Sequence, residues 1–121
     1  MSKPHKEFHQ LDLTTGWATP PGFQNDQFQQ RILASDIDEK NKTGSRTRLV
    51  RYEPGAFLPQ VFVHDYWEEV YVLSGDQTVG SEQFHAHTYA CRPPGIPHGP
   101  FGSKQGCIVL EFHYYECSRK P

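Results

Sequence analysis

The chain has 121 residues, which is enough for one domain built around a single hydrophobic core. Its 12 basic and 14 acidic residues give a net charge of −2, and this near balance excludes the basic surface that nucleic-acid-binding proteins use. An aromatic content of 13% is typical of a folded chain and excludes an intrinsically disordered one.

The amino-terminal region is polar, and we do not expect it to be a secretory signal. Residues 1–28 contain Gly and Pro but no apolar core of a secretory signal, and we interpret them as an extended N-terminal arm. The sequence also lacks the run of about 20 apolar residues that a membrane-spanning helix needs. We therefore expect a cytoplasmic protein with no membrane association.

The rest of the chain reads as short strands separated by turns, with one barrel over 29–117 and a C-terminal tail at 118–121. Strands are predicted at 31–34, 47–52, 61–64, 69–74, 88–92 and 108–115. Turns containing Gly or Pro are predicted at 53–55, 74–76, 79–81, 93–95 and 101–103. Only 34–42 has any helical character, and it is weakly patterned. The sequence therefore predicts an all-β sandwich or barrel with very little helix.

Two groups of residues are interpreted as structural. Five basic side chains occur where a loop is predicted to run into a strand, and we expect them to be solvated rather than to bind phosphate: Lys40, Lys42, Arg46, Arg48 and Arg51. The three cysteines have no CxxC spacing and are expected to be reduced. Cys91 and Cys107 lie in strand-like runs, where a free cysteine is typically a small buried apolar residue, and Cys117 is near the end of the chain.

Two short segments combine turn residues with metal-ligand residue types. In the first, Gly55 is followed nine residues later by His64, which stands four residues before Glu68, and Glu68 is separated from Gly75 by six residues. In the second, residues 93–98 read Pro-Pro-Gly-Ile-Pro-His, which places a histidine three residues after a turn glycine. Imidazole and carboxylate groups are common ligands of divalent metals, so the two segments together indicate a metal site.

These segments resemble the two sequence motifs of the cupin superfamily, and the resemblance extends over residues 47–115. Within that superfamily the chain is most similar to the ChrR-like cupins. The resemblance implies a double-stranded β-helix, which is a jelly-roll barrel around a ligand-sized interior. It also implies that His64, Glu68 and His98 hold one divalent metal ion per chain from inside the barrel.

One ligand of the family pattern is missing from this chain. Phe62 stands where relatives have a further histidine, and Gly55 lies one residue farther from His64 than the family spacing gives. The extra residue suggests a β-bulge, through which Gln60 would supply a replacement ligand. Two imidazoles and one carboxylate suit Fe(II) or Zn(II) best, and also Mn(II) or Ni(II). The alternative is that both histidines are core residues and that Glu68 pairs with one of them.

The roles of the other candidate residues depend on which face of each strand points into the barrel. Alternation puts Glu111 and His113 on one face of the last strand, and the sequence leaves open which face points inward. An inward His113 would be an acid/base or supporting residue, but we favour a solvated surface position. Tyr66 lines the substrate entrance or packs, and Arg92 is a candidate anion contact. The remaining histidines are expected in the arm or on a surface turn: His5, His9, His85 and His87.

Three hypotheses for the function follow from the resemblance. The leading one is a metal-dependent enzyme, with His64, Glu68 and His98 acting through the metal, specifically an Fe(II) dioxygenase of a ketone, diketone or phenolic compound. The second is a redox-neutral isomerase, cyclase or lyase in which the metal acts as a Lewis acid. The third is a non-catalytic sensor of a small molecule or a metal. The expected partners are a small-molecule substrate or ligand and a second copy of the chain in a homodimer, with no nucleic acid.

Overall fold

The computed structural model describes residues 2–23 and 26–116. It contains eight strands, numbered here in chain order: β1 Phe28–Ser35, β2 Ser45–Tyr52, β3 Phe57–Leu58, β4 Trp67–Val79, β5 Glu82–His85, β6 Tyr89–Arg92, β7 Phe101–Gly102 and β8 Cys107–Tyr114. None of the described residues is helical, and the segment 34–42 ends β1 and then turns back toward β2. The prediction of an all-β fold with very little helix is confirmed.

The long strand β4 joins the two sides of a curled antiparallel sheet. Its first part, 67–75, pairs with β8, and 68–71 also pair with β6, while its last part, 76–79, pairs with β5 and β7. On the first side, the strand order continues from β8 to β2 and β1. Gly75 lies where the pairing changes, with a φ of 75°, and a Cβ there would stand 1.9 Å from the carbonyl oxygen of Gly106. The turn predicted at 74–76 is therefore wrong, because the glycine allows close strand contact and the strand continues.

The core sits where the central strands place valines opposite each other. Val50 of β2 pairs with Val109 of β8, and Val109 pairs with Val72 of β4. All three are fully buried or nearly so. Since side chains alternate along a strand, Glu111 and His113 point inward with Val109. The favoured surface position for His113 is therefore wrong, because its side chain is 0% exposed.

The predicted strand at 61–64 is reduced to one isolated bridge. The backbone of Phe62 exchanges hydrogen bonds with that of His98, at 2.7 and 2.9 Å. The next antiparallel pair in one direction would need an N–H from Pro100, which proline lacks. In the other direction, the carbonyl of His64 accepts instead from the N–H of Gly95. Residues 59–66 therefore form an irregular segment rather than a strand.

The structure also differs from the sequence predictions at one turn and at one cysteine. The predicted turn at 101–103 contains the short strand β7, which pairs with both β3 and β4. Cys107 is buried, and burial raises the pKa of its thiol to about 11. Cys91 is exposed because it pairs with Glu69 on the outer face, so the expectation that it is buried is wrong. Cys117 lies outside the described residues.

The N-terminal arm contacts β1 through a bridge between Ala18 and Gln30. Arg51 of β2 lies over the ring of Trp17, 4.6 Å from its centroid. These contacts fasten the middle of the arm to the outer side of the sheet. Within the part of the chain that the structure describes, no helix is long and apolar enough to span a membrane.

Candidate metal centre

Three residues from separate parts of the chain bring ligand atoms together on the inner side of the barrel. His64 lies just before β4, Glu68 is the second residue of β4, and His98 lies between β6 and β7. One ligand atom of each residue lies within 4.8 Å of the other two, and His98 Nε2 is 3.4 Å from Glu68 Oε1. Donor atoms bound to one ion at about 2.1 Å lie about 3.0–3.4 Å apart, so the group fits a divalent metal with a small adjustment.

Local contacts prepare the two imidazoles for this role. His98 donates from Nδ1 to the carbonyl of Ile96 at 3.0 Å, which leaves the lone pair of Nε2 facing Glu68. The ring of His64 stacks on Tyr66 with centroids 4.6 Å apart and planes at 11°. Burial lowers the pKa of His64 below its ordinary value. Since a metal binds the neutral imidazole, the lowered pKa of His64 favours the form that coordination requires.

Glu68 is fixed from both sides by charged or polar side chains. His113 of β8 lies with Nε2 at 2.8 Å from Glu68 Oε2. On the other oxygen, Arg92 donates from Nη1 to Oε1 at 3.2 Å. Arg92 therefore contacts a carboxylate of the protein itself, whereas the sequence suggested a contact with a bound anion.

The inner face of β2 adds two arginines that sequence analysis assigned to a solvated group. Arg46 donates from Nε to His113 Nδ1 at 3.0 Å. Arg48 pairs with Glu111 at 2.8 Å, and both side chains are largely buried. The solvated position is wrong for both, and alternation carried the signal that was missed: 46 and 48 share a face with the core residues Val50 and Tyr52.

Burial and charge act in opposite directions on Glu111. Burial alone would raise the pKa of its carboxyl, but Arg48 and His113 more than offset this effect and hold the pKa far below its ordinary value. The group is therefore an ion paired with Arg48 at neutral pH.

The group opens onto a cavity of about 250 Å³ whose remaining wall combines aromatic rings with polar and charged side chains. The ring of Phe62 lies 6.2 Å from that of His64 and 6.5 Å from that of His98, centroid to centroid. Five more aromatic side chains line the cavity: Phe23, Phe28, Tyr52, Tyr66 and Phe101. Gln60 is exposed and does not line the cavity, so the structure does not bring it to the three donors.

Tyr66 lies beside the three donors, whereas the four remaining histidines are exposed. Tyr66 is buried, lines the cavity and packs against both His64 and His113, and burial raises the pKa of its phenol. His85 and His87 are exposed at and beyond the end of β5, as predicted. His87 has a φ of 72°, in the left-handed region that favours glycine. His5 and His9 are exposed in the arm.

Comparisons with known proteins agree with this architecture. Three solved structures share the fold over most of the chain at low identity. An acetylacetone dioxygenase from Acinetobacter johnsonii has a TM-score of 0.69 and 14% identity, over 92% of this chain and 75% of that one. The polyketide cyclase RemF from Streptomyces resistomycificus has a TM-score of 0.67 and 22% identity, over 95% and 83%.

The third is the complex of Rhodobacter sphaeroides SigE with the anti-sigma ChrR, with a TM-score of 0.62 and 22% identity, over 82% of this chain and 48% of that one. No curated protein sequence matches the chain. The family model of the ChrR cupin-like domain matches residues 28–115, which is most of the chain. The protein therefore belongs to the ChrR cupin-like domain family of the cupin superfamily.

Proposed function

We propose that this chain is a metal-dependent oxygenase of a small organic molecule that carries an acidic enol or phenol group. The observation that carries the proposal is the convergence of His64, Glu68 and His98 on a cavity that also presents aromatic rings to a ligand. Two imidazoles and one carboxylate form the donor set of non-heme Fe(II) oxygenases, in which iron supplies open coordination positions for a substrate and for O₂.

The ionisable groups beside the three donors favour a substrate that loses its proton readily. An enzyme that abstracts a proton from carbon needs a free base near the substrate. Here His113 is held between Arg46 and Glu68, and Glu111 is paired with a guanidinium. The phenol of Tyr66 has a raised pKa, so it stays protonated. These three groups beside the donors are already engaged, and Glu39, the other carboxylate that lines the cavity, is exposed. A β-diketone or a phenol loses its proton readily and therefore needs the least help from a protein base.

The cavity limits the size and shape of the substrate. Its volume of about 250 Å³ is slightly below the roughly 300–1,000 Å³ of pockets that take drug-sized ligands. The rings of Phe62 and Phe101, with centroids 6.0 Å apart, provide flat apolar surface next to the donors. A small, planar, conjugated molecule fits these walls. The similarity to an acetylacetone dioxygenase shows the fold alone, but it makes β-diketones the first compounds to test.

The test is oxygen consumption by the Fe(II)-loaded protein with a panel of β-diketones, α-hydroxyketones and catechols. We expect uptake with at least one class, and we expect none from the Zn(II)-loaded protein or from a His98→Ala variant. The variant is a matched control because it removes one donor without adding bulk to the cavity.

Two other outcomes would replace the proposal. Conversion of a substrate without air by the Zn(II)-loaded protein would establish a redox-neutral isomerase, cyclase or lyase. Tight metal or ligand binding with no conversion of any compound would favour a sensor or binding module. The ChrR protein of the comparison is an anti-sigma factor, and this chain spans about half of the matched chain in that complex.

A further inference from the structure

We infer that His113 is a positioning residue that makes Glu68 bind the metal through one oxygen only, and that Arg46 sets the tautomer on which this depends. The inference rests on the metal site of the proposed function and extends it to residues outside the three donors. It comes from a chain of contacts that runs from β2 through β8 to β4.

The direction of the hydrogen bonds fixes the tautomer of His113. The guanidinium of Arg46 can only donate, and its Nε and Nη2 lie 3.0 and 2.8 Å from His113 Nδ1. Nδ1 therefore accepts, and the proton of the neutral ring is on Nε2. That N–H donates to Glu68 Oε2 at 2.8 Å, and Glu111 Oε1 lies farther from the same nitrogen, at 3.3 Å. The ring is 0% exposed and is held on its flat side by Tyr66, with centroids 4.6 Å apart, so it has little freedom to turn.

The hydrogen bond from His113 gives the two carboxylate oxygens of Glu68 different roles. Oε2 is occupied by His113, whereas Oε1 accepts from Arg92 Nη1 at 3.2 Å and keeps a lone pair toward His98 Nε2 at 3.4 Å. A carboxylate held in this way presents Oε1 to an ion shared with His98 and His64. Partners of this kind orient a ligand before the metal arrives, and their loss typically lowers metal affinity about 10–100-fold.

The same contacts exclude a second ion nearby. Glu68, Glu111 and His113 form another group of metal-ligand types within 4.8 Å. However, Glu111 Oε1 is already paired with Arg48 at 2.8 Å, and the lone pair of His113 faces Arg46. A cation at this group would lie beside two guanidinium groups and would have to displace the Nε2 proton. We therefore expect one ion per chain, at His64, Glu68 and His98.

The experiment compares His113→Leu with His113→Gln by titration with Zn(II) and Co(II), together with the absorption spectrum of the Co(II) forms. The amide of glutamine can donate to Glu68 Oε2 from about the position of the histidine Nε2, whereas leucine cannot donate. We expect His113→Leu to lose about 10–100-fold in affinity and to change the Co(II) spectrum. His113→Gln should stay within a few-fold of the wild type and keep its spectrum.

A second variant covers the case in which His113→Leu does not fold. Arg46→Met leaves the ring in place but removes the donor to Nδ1, and it should weaken binding less than His113→Leu does. Equal affinity of the wild type, Arg46→Met and any folded His113→Leu would overturn the inference while leaving the proposed metal site intact. Two ions per wild-type chain would also overturn it. A wild-type chain that binds neither metal would overturn both the inference and the proposed function.

Discussion

Two carboxylates on the same strand, Asp76 and Glu68, are both buried, and they differ in what holds them. Asp76 accepts from the backbone N–H groups of Lys104 and Gln105 at 3.0 and 2.7 Å. These bonds lower the pKa of Asp76 below its ordinary value although burial would raise it. Gln83 and Ser103 add longer side-chain hydrogen bonds to Asp76, at 3.2 and 3.4 Å. The partners described for Glu68 are side chains, among them those of His113 and Arg92.

The difference separates a structural carboxylate from a candidate functional one. The main-chain donors at Asp76 belong to the loop between β7 and β8, so this carboxylate fastens that loop to β4. Glu68 borders a cavity, and its Oε1 lies near an imidazole nitrogen whose lone pair is free to bind a cation. Burial of a carboxylate alone does not indicate function; the kind of donor and the space beside it do.

The sharpest test of the structural assignment is Asp76→Ala. The substitution leaves two loop N–H groups without their acceptor, at about 1–3 kcal/mol each. We expect the free energy of unfolding to fall by about 4 kcal/mol, measured by urea denaturation, with metal affinity unchanged in the folded protein. A loss of metal affinity at temperatures where the variant is folded would break the distinction between the two carboxylates.

Glu111→Gln tests the buried charges that support the metal site. Removing one member of a buried ion pair typically costs about 3 kcal/mol or more, because Arg48 keeps its charge without compensation. We expect a loss of this size in the free energy of unfolding.

The lowered pKa of Glu111 also predicts how this loss depends on pH. The pair contributes fully above the ordinary carboxyl pKa of 4.5, and its contribution disappears as the pH falls toward the lower pKa of the folded state. Stability of the wild type should therefore fall faster below pH 4.5 than stability of the variant. Parallel stability curves between pH 3 and pH 6 would contradict the assignment.

Glu68→Gln tests the functional side of the comparison. The amide keeps the shape of the side chain and can still accept from His113, but it lacks the negative charge that a metal needs. We expect metal affinity to fall by more than about 100-fold, or about 2.7 kcal/mol, by zinc titration. The melting temperature of the metal-free protein should also fall, because Arg92 loses its buried partner, so the two affinities are compared at a temperature where both proteins are folded. Retained zinc binding would remove Glu68 from the site, and His98→Ala serves as the matched loss-of-ligand control.

Phe62→His is expected to have the smallest effect and the opposite sign. The ring of Phe62 lies next to those of His64 and His98, where the cupin pattern has a further histidine. A fourth donor should tighten zinc binding about 10-fold, or about 1.4 kcal/mol, with the same readout. Phe62→Leu controls for loss of the aromatic ring. Equal affinity in both variants would show that position 62 does not face the ion.

Sequence by itself was sufficient for the parts of this protein that depend on short-range spacing. Turn residues and alternating strands indicated an all-β fold, and two short motifs selected His64, Glu68 and His98, which the structure brings together. Each motif fixes its histidine or glutamate relative to a nearby turn, and turn glycines such as Gly95 adopt the positive φ that such a turn requires. Local geometry of this kind can be read from consecutive residues.

Only the tertiary structure decided which faces point inward and where strands end. Arg46 and His113 are 67 residues apart, and they meet because β2 pairs with β8 in one particular register. A shift of that register by one residue would place the two side chains on opposite faces of the sheet. The segment 61–64 likewise stops being a strand because of Pro100 in its partner segment. Pairing between distant strands therefore decided the contacts around Glu68, while residues close in sequence decided the three donors.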